Sequence, residues 1–142
     1  VYKRQVYQAL LDVYDRYGLY VERTSNVYME GIDRTERMRA LMERLRSKPP
    51  KTVGGSEVIG IRDYLTGKAV DLRTGAESGT GCPESNVLYY ILEGDNKVVI
   101  RPSGTEPKIK IYYLFHTESG DMAALDALVD SARESMKEIT GI

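Results

Sequence analysis

The sequence predicts an α+β domain of order β-α-β-β-β-α, with one mainly antiparallel sheet of four or five strands, two helices packed on one face, and a further helix in front. Two segments, one from Asp33 to just before Pro49-Pro50 and one over residues 121–139, repeat apolar residues at helical spacing. Several β-rich runs lie between them, and two of these runs flank Glu93-Gly94-Asp95-Asn96, which is a hairpin signal. Helices placed on one face of an antiparallel sheet bury the apolar surfaces of both.

The chain opens with a predicted amphipathic helix over Val1–Tyr17 that ends at Gly18. Its apolar stripe consists of Val6, Leu10, Val13, Tyr14 and Tyr17. The first strand is predicted over Leu19–Met29, where β-forming side chains predominate.

The second helix is predicted to start at Asp33, an N-cap with Glu36 at capping-box distance, and to end before Pro49-Pro50. Its apolar stripe is Met38, Leu41, Met42 and Leu45. The helix also carries several arginines, which leaves a nucleic-acid surface open as an interpretation. Interspersed glutamates favour a solvated face instead.

The remaining strands are predicted over Val58–Leu65, Asn86–Leu92, Lys97–Arg101 and Ile109–Phe115, the last in a central position. Residues 66–85 are rich in glycine, serine and threonine and are predicted to form an irregular surface loop. The last helix is predicted over Asp121–Ile139, with Gly141 just beyond its end. Its stripe is Leu125, Leu128, Val129, Ala132, Met136 and Ile139.

Composition excludes several classes of function. The 20 basic and 21 acidic residues give a formal net charge of -1, which does not suit a polyanion such as nucleic acid. No apolar run approaches the roughly 18 residues of a membrane span, so we expect no membrane partner and a cytoplasmic location. Cys82 and His116 are each the only residue of their type, which argues against a disulfide, a structural zinc site or a histidine base.

The most informative segment is Arg101-Pro102-Ser103-Gly104-Thr105-Glu106-Pro107-Lys108, between two predicted strands. An arginine fork, two hydroxyls and the main-chain N–H groups around a glycine together match the oxygens of a phosphate. Lys108 and Lys110 lie two apart on the next strand and hence on one face. Lys110 is either a further phosphate contact or a solvated lysine, and solvation is favoured for Lys108. The Glu106 carboxylate would repel phosphate, so we expect it to shape the loop.

With its flanks, this segment resembles the phosphate-binding loop in the last domain of the α-phosphohexomutases. Tyr17-Gly18-Leu19-Tyr20, Glu30-Gly31-Ile32-Asp33 and Lys48-Pro49-Pro50 occur in the order found in the bacterial and type-2 phosphoglucomutase branch. The resemblance implies a TATA-box-binding-protein-like fourth domain at residues 19–142, preceded by the C-terminal helix of the third domain at residues 1–18. Because 142 residues suffice for one domain, whereas these enzymes have four, we expect a C-terminal fragment.

The resemblance further implies an isomerase that moves a phosphoryl group within a sugar phosphate, through glucose 1,6-bisphosphate or its equivalent and with Mg²⁺. The loop residues Arg101, Ser103, Gly104 and Thr105, with Lys110, would grip the phosphate that is not reacting. The catalytic serine, the metal ligands and the sugar-recognition loop match nothing here, so we expect the chain alone to be inactive. Phosphomannomutase, phosphoglucosamine mutase and phosphopentomutase remain alternatives, as does a stand-alone module that binds anions or nucleic acid.

Overall fold

The computed structural model describes residues 2–118 and 121–141, with side chains from Gln5 onward. Val1, where the first helix was predicted to begin, lies outside the described residues. The helices are α1 (Tyr2–Tyr17), α2 (Arg34–Ser47) and α3 (Met122–Thr140). The strands are β1 (Leu19–Tyr28), β2 (Thr52–Val53), β3 (Ser56–Asp63), β4 (Lys68–Asp71), β5 (Glu77–Gly79), β6 (Leu88–Leu92), β7 (Lys97–Pro102) and β8 (Lys108–Thr117).

The strands of the described residues form one antiparallel sheet in the order β1-β8-β7-β6-β3-β4-β5, with β2 paired to β3 off this path. The predicted α+β class with a mainly antiparallel sheet is therefore confirmed. The predicted strand number is too small, because β4 and β5 form within residues 66–85, where an irregular loop was expected, and β2 forms where no strand was predicted. The strands β4 and β5 are short and largely exposed, and the pairing of β4 with β3 and of β5 with β4 supplies an order that their composition does not indicate.

The core lies between one face of the sheet and the two helices α2 and α3. Its buried helix residues are Leu41, Met42 and Leu45 of α2 and Leu125, Val129, Ala132 and Met136 of α3. Tyr90 of β6 is fully buried, and its hydroxyl donates a hydrogen bond of 2.9 Å to the main-chain oxygen of Leu45. Burial raises the pKa of this hydroxyl above its ordinary value. The bond satisfies a polar group that would otherwise be costly to bury, and it fixes α2 on the sheet.

The ends of the helices follow the sequence signals in one case and depart from them in the other. At α3, the Asp121 carboxylate accepts hydrogen bonds from the N–H groups of Ala123 and Ala124, and Gly141 takes a left-handed conformation. At α2, Asp33 is at the N-cap but its side chain makes no capping bond. The predicted capping box is therefore wrong, because the Glu36 carboxylate accepts from Arg39 at 2.6 Å instead.

Leu128 also departs from the predicted stripe of α3, since its side chain is 42% exposed. In the described part of the chain, no helix is both long and apolar enough to cross a membrane.

The register of β7 and β8 determines where the loop between them lies. Their pairing runs from Lys97 opposite Leu114 to Pro102 opposite Ile109. On its other edge β8 pairs with β1 over its whole length, ending with Lys108 opposite Tyr28. Because β8 has a neighbour on both sides, the loop is attached to a strand held inside the sheet, as its apolar content predicted.

Candidate phosphate-binding loop

Residues 103–107 form a closed loop that three main-chain hydrogen bonds hold in place. The N–H of Ser103 donates to the oxygen of Lys108 at 2.8 Å, and the N–H of Lys108 donates to the oxygen of Glu106 at 2.8 Å. The N–H of Met29, just after β1, donates to the oxygen of Pro107 at 2.9 Å. The loop is thus fixed both to its own hairpin and to the neighbouring strand.

Arg101 and Lys110 are directly opposite each other in the β7–β8 register. Directly opposed residues of antiparallel strands have their Cβ atoms about 5 Å apart on the same face of the sheet. This face is the one opposite α2 and α3, because the alternate residues Ile100, Ile109 and Ile111 are in the core. The sheet therefore places two cations side by side at the base of the loop.

The loop has several hydrogen-bond donors with no partner among the described residues. Within residues 2–118 and 121–141, no partner accepts a hydrogen bond from the N–H groups of Gly104 and Thr105 or from the hydroxyls of Ser103 and Thr105. Arg101 is exposed. Among the described residues, no carboxylate lies within ion-pair distance of its guanidinium or of the Lys110 ammonium. Backbone donors, hydroxyls and cations grouped in this way can bind a tetrahedral oxyanion.

Lys108, predicted to be a solvated lysine, is largely buried instead. Its side chain is 11% exposed, its Nζ lies 2.6 Å from Oε2 of Glu106, and the same Nζ lies 5.3 Å from the centroid of the Tyr28 ring. The prediction failed because strand alternation says nothing about a turn that brings residue 106 back to residue 108. The opposite charges on either side of Pro107 were the available signal.

This ion pair changes the electrostatics of the loop. The hydrogen bond from Lys108 holds the pKa of the Glu106 carboxyl below its ordinary value, with a smaller contribution from the charge of Lys110. The same hydrogen bond raises the pKa of Lys108. Both groups are therefore charged near neutral pH, and their opposite charges largely cancel. The uncompensated positive charges near the loop are those of Arg101 and Lys110.

The loop is a surface feature rather than a closed pocket. Gly104 and Thr105 are exposed. A groove of about 290 Å³ lies toward the opposite edge of the sheet, over β3–β5, and is lined by residues such as Gly60, Val70 and Ser78. Because Gly104 and Thr105 are exposed, this chain contacts an anion bound at the loop from one side.

The described residues do not fit a metal site. Within residues 2–118 and 121–141, no group of three or more histidine, cysteine, aspartate or glutamate side chains is arranged to hold a metal ion.

Comparison with known proteins places these features in a family. The family model for the phosphoglucomutase/phosphomannomutase C-terminal domain matches residues 66–134, which include the whole loop. The phosphoglucomutase of Staphylococcus aureus is 33% identical over 112 residues, covering 79% of this chain and 20% of that protein. The phosphoglucomutase of Staphylococcus haemolyticus is 29% identical over 123 residues, covering 87% of this chain and 22% of that protein.

A solved structure has the same fold. It is the open form of the Paramecium exocytosis-sensitive phosphoprotein pp63/parafusin, a phosphoglucomutase, with a TM-score of 0.56 and 14% identity, covering 96% of this chain and 24% of that one. The chain spans about a fifth of the length of the curated relatives it matches. On the family model and these relatives together, the chain belongs to the phosphoglucomutase/phosphomannomutase family and contains its C-terminal domain.

Proposed function

We propose that this chain is the substrate-phosphate-binding domain of a phosphoglucomutase-type enzyme, and that residues 101–105 with Lys110 bind the phosphate that is not reacting. The observation that carries this proposal is the opposed pair Arg101 and Lys110 beside a loop of unpaired N–H and hydroxyl donors. A grip on the distant phosphate positions the sugar and leaves the bond-making groups elsewhere.

The wider reaction is part of the same proposal. The complete enzyme interconverts sugar 1-phosphate and sugar 6-phosphate through a bisphosphorylated sugar such as glucose 1,6-bisphosphate, in the cytoplasm. Mg²⁺ would supply charge stabilisation at the transferring phosphoryl group, held by residues outside this chain. Phosphomannose, phosphoglucosamine and phosphopentose substrates are the alternatives within the family.

Phosphate binding should depend on Arg101. We expect inorganic phosphate and glucose 1,6-bisphosphate to bind on the order of millimolar, because one open loop supplies few contacts against the cost of association. Removing the guanidinium with Arg101→Ala should weaken binding by at least about tenfold, since a charged hydrogen bond contributes roughly 1.5 to 3 kcal/mol. An NMR titration of the labelled chain measures both the affinity and the amides that shift.

Arg16→Ala is the matched control. Arg16 is also exposed, but it is close to Leu19, which pairs with Thr117 at the end of β8 remote from the loop. Shifts at Ser103, Gly104 and Thr105 that vanish in Arg101→Ala and persist in Arg16→Ala support the proposal. Unshifted loop amides in the folded wild-type chain would reject it.

We also propose that residues 1–18 belong to the preceding, third domain and that residues 19–142 form the phosphate-binding domain. Support comes from α1, whose apolar side chains are largely uncovered. The exposed residues are Val6 at 72%, Tyr7 at 62%, Leu10 at 44%, Val13 at 48% and Tyr17 at 62%. A stripe of this kind is typical of a helix that packs against another body. The three other domains of the enzyme are thus its proposed partners.

Polar substitutions on this stripe should leave the chain itself stable. We expect Val6→Lys combined with Val13→Lys to change the free energy of unfolding by no more than about 0.5 kcal/mol. Leu125→Ala, at a fully buried position of α3, should cost about 3 kcal/mol in the same urea titration. A comparable loss in the α1 variant would mean that α1 packs on this domain.

A further inference from the structure

The ion pair between Lys108 and Glu106 lies within the loop, yet neither residue belongs to the set of unpaired donors. Lys108 is connected to the loop in three ways: its N–H binds the oxygen of Glu106, its oxygen accepts from Ser103, and its ammonium is 2.6 Å from the Glu106 carboxylate. The Tyr28 ring of the adjacent strand lies against the same ammonium. One residue thus joins the loop, its hairpin and β1.

The Lys108 ammonium is poorly placed to be a phosphate ligand itself. It is largely buried and already paired, whereas Lys110 is unpaired among the described residues and directly opposite Arg101. A cation that must give up a short ion pair to bind an anion gains little from the exchange. Its effect on an anion has to pass through the partner that it holds.

That partner is the only carboxylate between residues 101 and 110. Glu106 follows Thr105 directly, and its side chain is 54% exposed. Without a cation beside it, a carboxylate at this point of the loop opposes a phosphate through charge repulsion. It also offers an acceptor that competes for the hydroxyl and N–H donors of the loop.

We propose that Lys108 is a positioning residue for the phosphate loop: it acts through Glu106, neutralising and holding that carboxylate so that the donors of Arg101, Ser103, Gly104 and Thr105 remain available to the anion. The inference rests on the proposed function of this loop. It adds a residue that improves phosphate binding without touching phosphate.

A double-mutant cycle separates this role from direct contact. Lys108→Met keeps an apolar stem beside Tyr28 but releases Glu106, and we expect the affinity for inorganic phosphate to fall roughly three- to tenfold at low salt. Glu106→Gln alone should leave the affinity equal or raise it slightly. The combined variant should bind within about twofold of the wild-type chain, because the charge that Lys108 neutralises is gone.

Restoration in the combined variant is the result that a direct ligand cannot give. If the combined variant binds as weakly as Lys108→Met, then Lys108 contacts the anion and the inference is wrong. If wild type binds phosphate and Lys108→Met binds equally well, the inference is also wrong while the proposed function stands. A wild-type chain that binds no phosphate removes the proposed function first.

Two further measurements keep the test independent of folding. Thermal unfolding of every variant, followed by circular dichroism, checks that affinity is compared between folded chains. Should Lys108→Met fail to fold, Lys108→Arg and Glu106→Gln still decide the question. Lys108→Arg retains the ion pair and must bind like wild type, and a tenfold loss of affinity in Glu106→Gln would overturn the inference.

Discussion

Replacing Gly54 with alanine is expected to destabilise the domain by about 3 kcal/mol, whereas the same change at Gly55 should cost only about 1 kcal/mol. The two glycines are adjacent in the turn between β2 and β3, and both have positive φ, +57° at Gly54 and +82° at Gly55. Alanine is strained in that conformation at either position. A backbone penalty is therefore expected at both positions, and the contacts of the added Cβ distinguish them.

The difference arises from the packing of α3 against the turn. A Cβ added at Gly54 would lie 2.7 Å from the main-chain nitrogen and 2.8 Å from the Cα of Ala132, while one added at Gly55 meets nothing within 4 Å. Ala132 is fully buried in the middle of α3, so relief requires that the turn or the whole helix move. Overpacking of a well-packed core costs typically 1–3 kcal/mol.

Urea unfolding of the two variants under identical conditions measures the comparison. Equal losses at the two positions would show that α3 can move away without cost, and that the contact between the turn and the helix is not tightly packed. A larger loss at Gly54 with an unchanged urea dependence assigns the effect to the folded state.

How much of this structure the sequence predicts depends on whether the deciding interaction is local. Asp121 and Gly141 bound α3 as expected, since each acts on backbone groups within a few residues. Asp33 and Glu36 have the same kind of local pattern, but they do not form the capping box. The Glu36 carboxylate accepts a hydrogen bond from Arg39 instead. The strands β4 and β5 are absent from the prediction for another reason: they pair with their neighbours in the chain, but they are short and bury no residue fully, so their composition carries no strand signal.

The same distinction applies to the candidate site. The resemblance to the mutases implies the loop residues together with Arg101 and Lys110, and the register of β7 and β8 places these two cations opposite each other. The burial of Lys108 depends on a turn around Pro107 and on Tyr28 from β1, which is remote in sequence. The sequence of β8 alone indicates neither feature, which is why it predicts a solvated Lys108.

Removing the Asp63 side chain should have an effect as large as that of Gly54→Ala. Asp63 and Arg46 form an ion pair, Nε to Oδ2 at 3.1 Å, with side chains only 10% and 13% exposed. The carboxylate also accepts from the N–H of Leu65 at 3.1 Å and from the hydroxyl of Thr66 at 2.8 Å. We expect Asp63→Ala to cost about 3 kcal/mol, because a nearly buried guanidinium loses its closer charge partner and two further donors lose their acceptor. The remaining partner of Arg46 is the exposed Glu43 carboxylate at 3.7 Å.

Asp71 provides the matched control in an exposed turn. Its carboxylate also accepts from two main-chain N–H groups, those of Arg73 and Thr74, and these bonds hold its pKa below the ordinary value, but no ion pair is buried there. Asp71→Ala should therefore cost much less in the same urea titration. Asp63→Asn, which can keep an oxygen for the N–H of Leu65 while losing the charge, should fall between the two.

The contribution of the charge itself is measured by making Asp63→Asn in a chain that already carries Arg46→Met. If the buried guanidinium is what makes Asp63→Asn costly, the same substitution should cost markedly less once Arg46 is apolar, since the two residues are in direct contact. An unchanged cost would assign the whole effect to the hydrogen bonds at the end of β3. In that case α2 is held on the sheet by its buried face and the Tyr90 bond to Leu45 rather than by this ion pair.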